Sequence, residues 1–140
     1  MFAVSLSLPL AAGLATIANH FWPSQRRDLD TFNSFGLIAV GVFIGPLLEA
    51  SIFQLLVGAA IRRFIQRIDL RLLLITIPFA LIHFPQGAAT GLGAGVAGGL
   101  VFGFMFIAWQ DVSTSKAFLA ALLPHVLHNA LAISLGLFAK

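Results

Sequence analysis

The sequence predicts an all-α protein, a polytopic transmembrane helix bundle with about five spans. Three observations predict it. Of 140 residues 59% are apolar and only 9% charged, where a soluble domain carries roughly 25% charged residues. The mean hydropathy is +1.00. The charged residues also cluster, leaving long runs with no charge at all. A spanning helix takes about 20 residues, so the chain reads as one transmembrane domain over 1–140 with short connections and no soluble domain. A disordered tail and a nucleic-acid binder are both excluded, because the basic residues are few and fall between apolar runs. The sequence has no cysteine, so a disulfide framework, a thiolate metal site and a cysteine nucleophile are excluded as well. Chemistry is left to His, Glu, Asp, Asn and Ser.

The first span covers 2–21 and ends in the aromatic edge His20-Phe21-Trp22 followed by the helix stop Pro23. Arg26, Arg27, Asp28 and Asp30 then form a solvated loop. A cleavable signal peptide is the weaker reading, since no basic residues precede the run and its small residues sit mid-run, at Ala11, Ala12 and Gly13. The second span covers 35–61. After it, Phe64, Ile65 and Ile68 fall on one helical face and Arg62, Arg63, Arg67 and Arg71 largely on the other, which predicts a helix end in the headgroups with snorkelling arginines. The charge-free run that follows is too long for one span and is broken at Pro85-Gln86-Gly87. It divides into a third span over 71–84 and a fourth over 89–109. The fifth covers 117–138.

Gly87, Gly91, Gly95, Gly99 and Gly103 recur every four residues. This small-xxx-small stripe predicts a scaffold helix that its neighbours approach closely, since packing drives association in lipid. A phosphate-binding glycine loop would need a preceding strand. For sidedness, Arg62, Arg63, Arg67, Arg71 and Lys116 fall on one face of the membrane against Arg26, Arg27 and Lys140 on the other, which favours the first face as cytoplasmic.

Polar side chains inside the spans are few. Glu49 is the one acidic residue within an apolar run, and an ionised carboxylate there costs at least about 2.5 kcal/mol. It must be protonated, paired or turned to a polar cavity. His83 lies near the end of the third span; His125, His128 and Asn129 lie in the fifth. Measured from the Arg62/Arg71/Lys116 face at about 1.5 Å per residue, Glu49, His83, His125 and Asn129 all reach a depth of roughly 14–20 Å. Three helices thus deliver polar groups to one level. His125 and Asn129, four residues apart, share a helical face, with His128 beside it. Pro46, Pro78 and Pro124 precede the polar groups of their helices, and each frees a carbonyl one turn back that must find another donor.

A carboxylate and an imidazole sharing one water form a general base that can make hydroxide for attack on a carbonyl. A second histidine and an asparagine can donate to the resulting oxyanion. Alternatively His83 and His125, with or without His128, hold Zn²⁺, with Glu49 as ligand or base, although the chain has no HExxH helix. Both routes are hydrolytic. Ser51, Ser134 and Thr90 lack the flanking residues of a serine or threonine nucleophile.

The segments Gly45-Pro46-Leu47-Leu48-Glu49-Ala50-Ser51-Ile52-Phe53-Gln54, Phe79-Ala80-Leu81-Ile82-His83 and His125-Val126-Leu127-His128-Asn129 resemble the EExxxR, FxxxH and HxxxN/D motifs of the CPBP intramembrane proteases. That family includes CAAX prenyl endopeptidases and bacteriocin-processing or immunity proteins. The resemblance covers about Phe35 to Leu137. It implies an endopeptidase in a bacterial cytoplasmic membrane, acting on a membrane-associated peptide or protein. Glu49 would be the water-activating glutamate, His83 its partner, and His125 and Asn129 the pair that supports an oxyanion or, through His83 and His125, a metal. Ala50 and Gln54 stand where the family has its second glutamate and its arginine. Losing both charges together leaves no unpaired buried ion, a pattern that also suits a non-catalytic descendant serving as a subunit or scaffold in a larger membrane complex. An ion or transport pathway through the polar level is a third reading.

Overall fold

The structure is a computed structural model that describes residues 2–22 and 34–135. The loop charges at 26–30, Lys140 and the end of the predicted fifth span lie outside the described residues. Five helices are long and apolar enough to cross a membrane: α1 (Phe2–Phe21), α2 (Ala39–Arg62), α3 (Ile68–Gln86), α4 (Ala88–Trp109) and α5 (Thr114–Ser134). A short helix, Ser34–Ile38, leads into α2, and no strand occurs among the described residues. The chain is therefore an all-α integral membrane bundle of the multi-pass kind. These helices overlie the predicted spans, with starts at 39 against 35 for α2, 68 against 71 for α3 and 114 against 117 for α5.

The exterior is built for lipid. Phe43, Leu48, Leu56, Ile77, Leu81 and Leu123 all remain exposed on the outer surface, where a bilayer would cover them. Buried positions favour small or flat side chains. Ala3, Phe53, Phe79, Val101, Phe102, Phe106, Ala117 and Ala121 form the central cluster.

The central helix is α4, with 61% of its span buried against 33% or less for each of the others. Its glycines explain why. A Cβ added at Gly95 would come within 2.8 Å of the Ala80 Cα, one at Gly99 within 3.1 Å of the Thr76 Cα and one at Gly103 within 3.2 Å of Leu72, so this ridge lies directly on α3. Gly93 faces the other way, with its would-be Cβ 2.9 Å from the Ala11 carbonyl oxygen of α1. The predicted stripe is thus a packing seam, with one correction. Gly87 precedes the helix and forms the α3–α4 reversal at φ 112°, a conformation that glycine adopts at little cost.

The 62–71 segment also differs from its prediction. The α2 helix ends at Arg62, a turn follows at Arg63 and Phe64, and α3 already begins at Ile68. Phe64, Ile65 and Ile68 therefore do not share one helical face. Arg71 does not snorkel; it is buried in the first turns of α3. The corner is tied to the α4–α5 loop through Arg62, whose guanidinium pairs with Asp111 at 2.7 Å and donates to the Gln110 carbonyl at 3.0 Å. These two connections thus lie on one face of the membrane. Ser113 caps α5, its Oγ accepting the Lys116 N–H at 3.1 Å.

Candidate functional site

The polar residues of the middle level come from α2, α3 and α5. In α2, Pro46 lies between two π-helical stretches, Ala39–Ile44 and Ala50–Gly58, and Glu49 is the last residue of the α-helical segment between them. Single π-turns are rare and often mark functional sites. In α3 the α-helix gives out at Leu81, and the His83 N–H bonds the Ala80 carbonyl instead of the carbonyl four residues back. That leaves the Phe79 carbonyl to the His83 ring, whose Nδ1 lies 2.8 Å away. In α5, His125 stacks on Phe102 of α4, with centroids 4.4 Å apart and planes at 19°. Phe79 lies against both imidazoles, 4.8 Å from His83 and 5.8 Å from His125.

Glu49 Oε2 stands 3.8 Å from His83 Nε2 and 3.5 Å from His125 Nε2. Three of the four residues read from the sequence as one level, Glu49, His83 and His125, therefore form one cluster, and Asn129 stands outside it. A carbonyl can only accept, so His83 Nδ1 carries a proton toward Phe79, and its Nε2 faces the carboxylate. A water molecule can donate one hydrogen to Glu49 and the other to His83, and at this separation it would contact both. On His125 the Nδ1 is buried without a hydrogen-bond partner, whereas a proton on Nε2 would point at Glu49. The Glu49 side chain keeps 24% of its surface exposed, so the cluster is open on one side.

Asn129 has a different task. Its Nδ2 donates to the Gly41 carbonyl on α2 at 2.8 Å. Gly45 donates its N–H to Val40, five residues back. In that register the next residue, Pro46, would serve Gly41 but has no N–H. Asn129 supplies the missing donor and ties α5 to α2 at Gly41, eight residues before Glu49. His128, read from the sequence as flanking this face, turns to α1, where its Nδ1 is 2.8 Å from the buried Ser7 Oγ.

Ser7 carried no signal of its own, being one hydroxyl in an apolar run; only its partner on another helix gives it meaning. Gln54 is fully buried, and neither amide atom has a hydrogen-bond partner among the described residues. Ala50 beside it is also buried. No group of three or more His, Cys, Asp or Glu side chains among the described residues is arranged to hold a metal ion.

Fold and site together define a multi-pass membrane protein whose one carboxylate away from the span ends is flanked by two imidazoles. No protein-family model matches the chain, and no curated protein or solved structure matches it.

Proposed function

We propose that the chain is a CPBP-like intramembrane endopeptidase that hydrolyses a peptide bond in a membrane-associated protein, working in a bacterial cytoplasmic membrane. The observation that carries the reading is Glu49 Oε2 within 3.8 Å of the imidazole Nε2 atoms of both His83 and His125. In this mechanism Glu49 takes a proton from the water it shares with His83, and the hydroxide oxygen bonds to the peptide carbonyl carbon. The His125 Nε2–H donates to the oxygen that becomes negative. When the C–N bond breaks, Glu49 returns its proton to the leaving amine. Phe102 holds the His125 ring, the Phe79 carbonyl fixes the His83 tautomer, and Asn129 positions α5 against α2 without touching substrate. No step requires a metal.

The second reading, a CPBP-derived membrane subunit or scaffold without catalysis, draws support from Ala50 and Gln54. Both are buried, and alanine and glutamine have no ionisable group, so neither position supplies a charge near Glu49. The two readings separate in one assay, cleavage of membrane-presented peptides by the purified protein. The endopeptidase reading expects cleavage that Glu49→Gln and His83→Ala each abolish. A wild-type protein that cleaves nothing across a broad panel, yet is retained in a membrane complex, would favour the scaffold.

A further inference from the structure

The hydrogen bond made by one imidazole nitrogen usually sets which of the two carries the proton and where the ring points. On His125 the nitrogen turned away from Glu49, Nδ1, is buried with no hydrogen-bond partner. The aim of its Nε2 therefore depends on what packs against the ring. Phe102 stacks on it with centroids 4.4 Å apart, and Phe79 adds an edge contact. A Cβ at Gly98 would stand 3.3 Å from each of the two phenyl rings, so the α4 backbone braces both.

A further support for Phe102 comes from α5 itself. His128, three residues beyond His125 and 3% exposed, meets the Phe102 ring at 84° with centroids 5.8 Å apart, the edge-to-face arrangement that aromatic pairs favour. Phe102 thus touches two imidazoles of one helix, one stacked on its face and one at right angles to it. His128 takes no part in the hydrolysis proposed above.

Packing alone would not keep His128 in place. A cavity of about 260 Å³ between α1, α4 and α5 is bordered by His128 together with Ala11, Ala15, Ala94 and Ala132, and these small side chains leave an imidazole room to turn. Ser7 of α1 holds the ring instead. Its Oγ is fully buried and lies 2.8 Å from His128 Nδ1, across 121 residues of sequence. The same hydroxyl reaches the Val4 carbonyl of its own helix at 3.4 Å, and either proton arrangement between Oγ and Nδ1 fixes the imidazole. Helix α1 carries no member of the Glu49 cluster, yet through this bond it supports a ring that touches the cluster.

We propose that Ser7 and His128 are positioning residues: the Ser7 hydroxyl pins the His128 ring, His128 keeps Phe102 flat against His125, and His125 Nε2 is thereby held toward Glu49. This role rests on the hydrolytic reading of the Glu49 cluster, and its test therefore reads the His125 ring directly as well as the rate. The full chain, purified in detergent with isotopically labelled histidine, is compared with Ser7→Ala by ring-nitrogen NMR and by cleavage of a membrane-presented peptide. Wild-type His125 should show one tautomer, protonated at Nε2. Ser7→Ala should shift or broaden the His125 signals and lower kcat about tenfold at unchanged KM, the mark of a misaimed group rather than of lost substrate binding. His128→Asn keeps a side-chain amide for Ser7 but removes the ring against Phe102, and it should have the same two effects. It also carries the test where the thermal midpoint shows that Ser7→Ala does not fold. Thr16→Ala removes a hydroxyl of α1 that donates to the Ala12 carbonyl of its own helix and should change neither readout. Wild-type His125 signals in Ser7→Ala and His128→Asn would overturn the positioning role, as would an equal change in Thr16→Ala. Altered signals with kcat intact would overturn its bearing on catalysis. A wild type that cleaves no peptide would remove the hydrolytic reading alone, because the His125 signals still report whether Ser7 and His128 hold the ring.

Discussion

Asn129 donates its side-chain amide to the backbone carbonyl of Gly41 at 2.8 Å, across 88 residues of sequence. The bond meets a demand created by Pro46, which cannot serve that carbonyl in the local i→i−5 register. It also fixes the distance between the helix that carries Glu49 and the helix that carries His125.

This relationship predicts a specific coupling. Asn129→Ala leaves a half-buried carbonyl without a donor and should cost about 1 kcal/mol, seen as a lower thermal midpoint in detergent. Pro46→Ala restores an N–H that can serve Gly41. The double variant should therefore be less destabilised than the two single variants combined, by at least about 0.5 kcal/mol. Strict additivity would mean that Pro46 and Asn129 do not share the Gly41 carbonyl.

The α3–α4 seam makes a second prediction. A methyl group at Gly95 would meet the Ala80 Cα at 2.8 Å and the His83 Cβ at 3.1 Å, and backbone cannot move aside as a side-chain tip can. Gly95→Ala should cost about 1–3 kcal/mol and lower hydrolysis by displacing His83. Gly13→Ala on α1 meets nothing within 4 Å. It should be neutral or stabilise by about 0.5–1 kcal/mol, the helical preference of alanine over glycine. Thermal midpoints of the two variants give the comparison.

Gln54 gives a third. Both its amide atoms are buried without partners, so replacement by the similarly shaped Met removes a desolvation cost of about 1–3 kcal/mol. Gln54→Met should raise the thermal midpoint and leave hydrolysis intact. A loss of activity with unchanged stability would instead give Gln54 a part in the chemistry.

The spans and the Glu49, His83 and His125 cluster were legible because charge is scarce. In a chain with 9% charged residues, each polar group inside a span must be satisfied, and counting residues from the arginine-rich face gave a common depth. The directions of the side chains were less legible. The π-helical stretches Ala39–Ile44, Ala50–Gly58 and Gly91–Ala97 alter the residues per turn, so faces assigned at 3.6 residues per turn drift within α2 and α4. Within α5, side chains drawn on neighbouring positions serve different helices: His125 faces Glu49 and Asn129 reaches Gly41, both on α2, while His128 meets Ser7 on α1. Arg71 reads as a headgroup residue because arginine usually snorkels. Its burial follows from the sharp α2–α3 corner, which depends on contacts between Arg62 and the distant Gln110 and Asp111.

Chelation separates the two hydrolytic routes. The water mechanism uses Glu49, His83 and His125 as base, partner and donor and routes no step through a metal. Hydrolysis should therefore persist after dialysis against EDTA and phenanthroline, with no stoichiometric Zn²⁺ by elemental analysis. Activity lost on chelation and restored by Zn²⁺ would assign His83 and His125 to a metal.

The central claim is that Glu49, held between His83 and His125, activates water. The most direct measurement is cleavage of a membrane-presented peptide by wild type and by Glu49→Gln, with matched thermal midpoints showing that both are folded. Glu49→Gln keeps the shape and removes the base, so the rate should fall by about 10²–10⁴-fold. Equal rates in the two proteins would contradict the account.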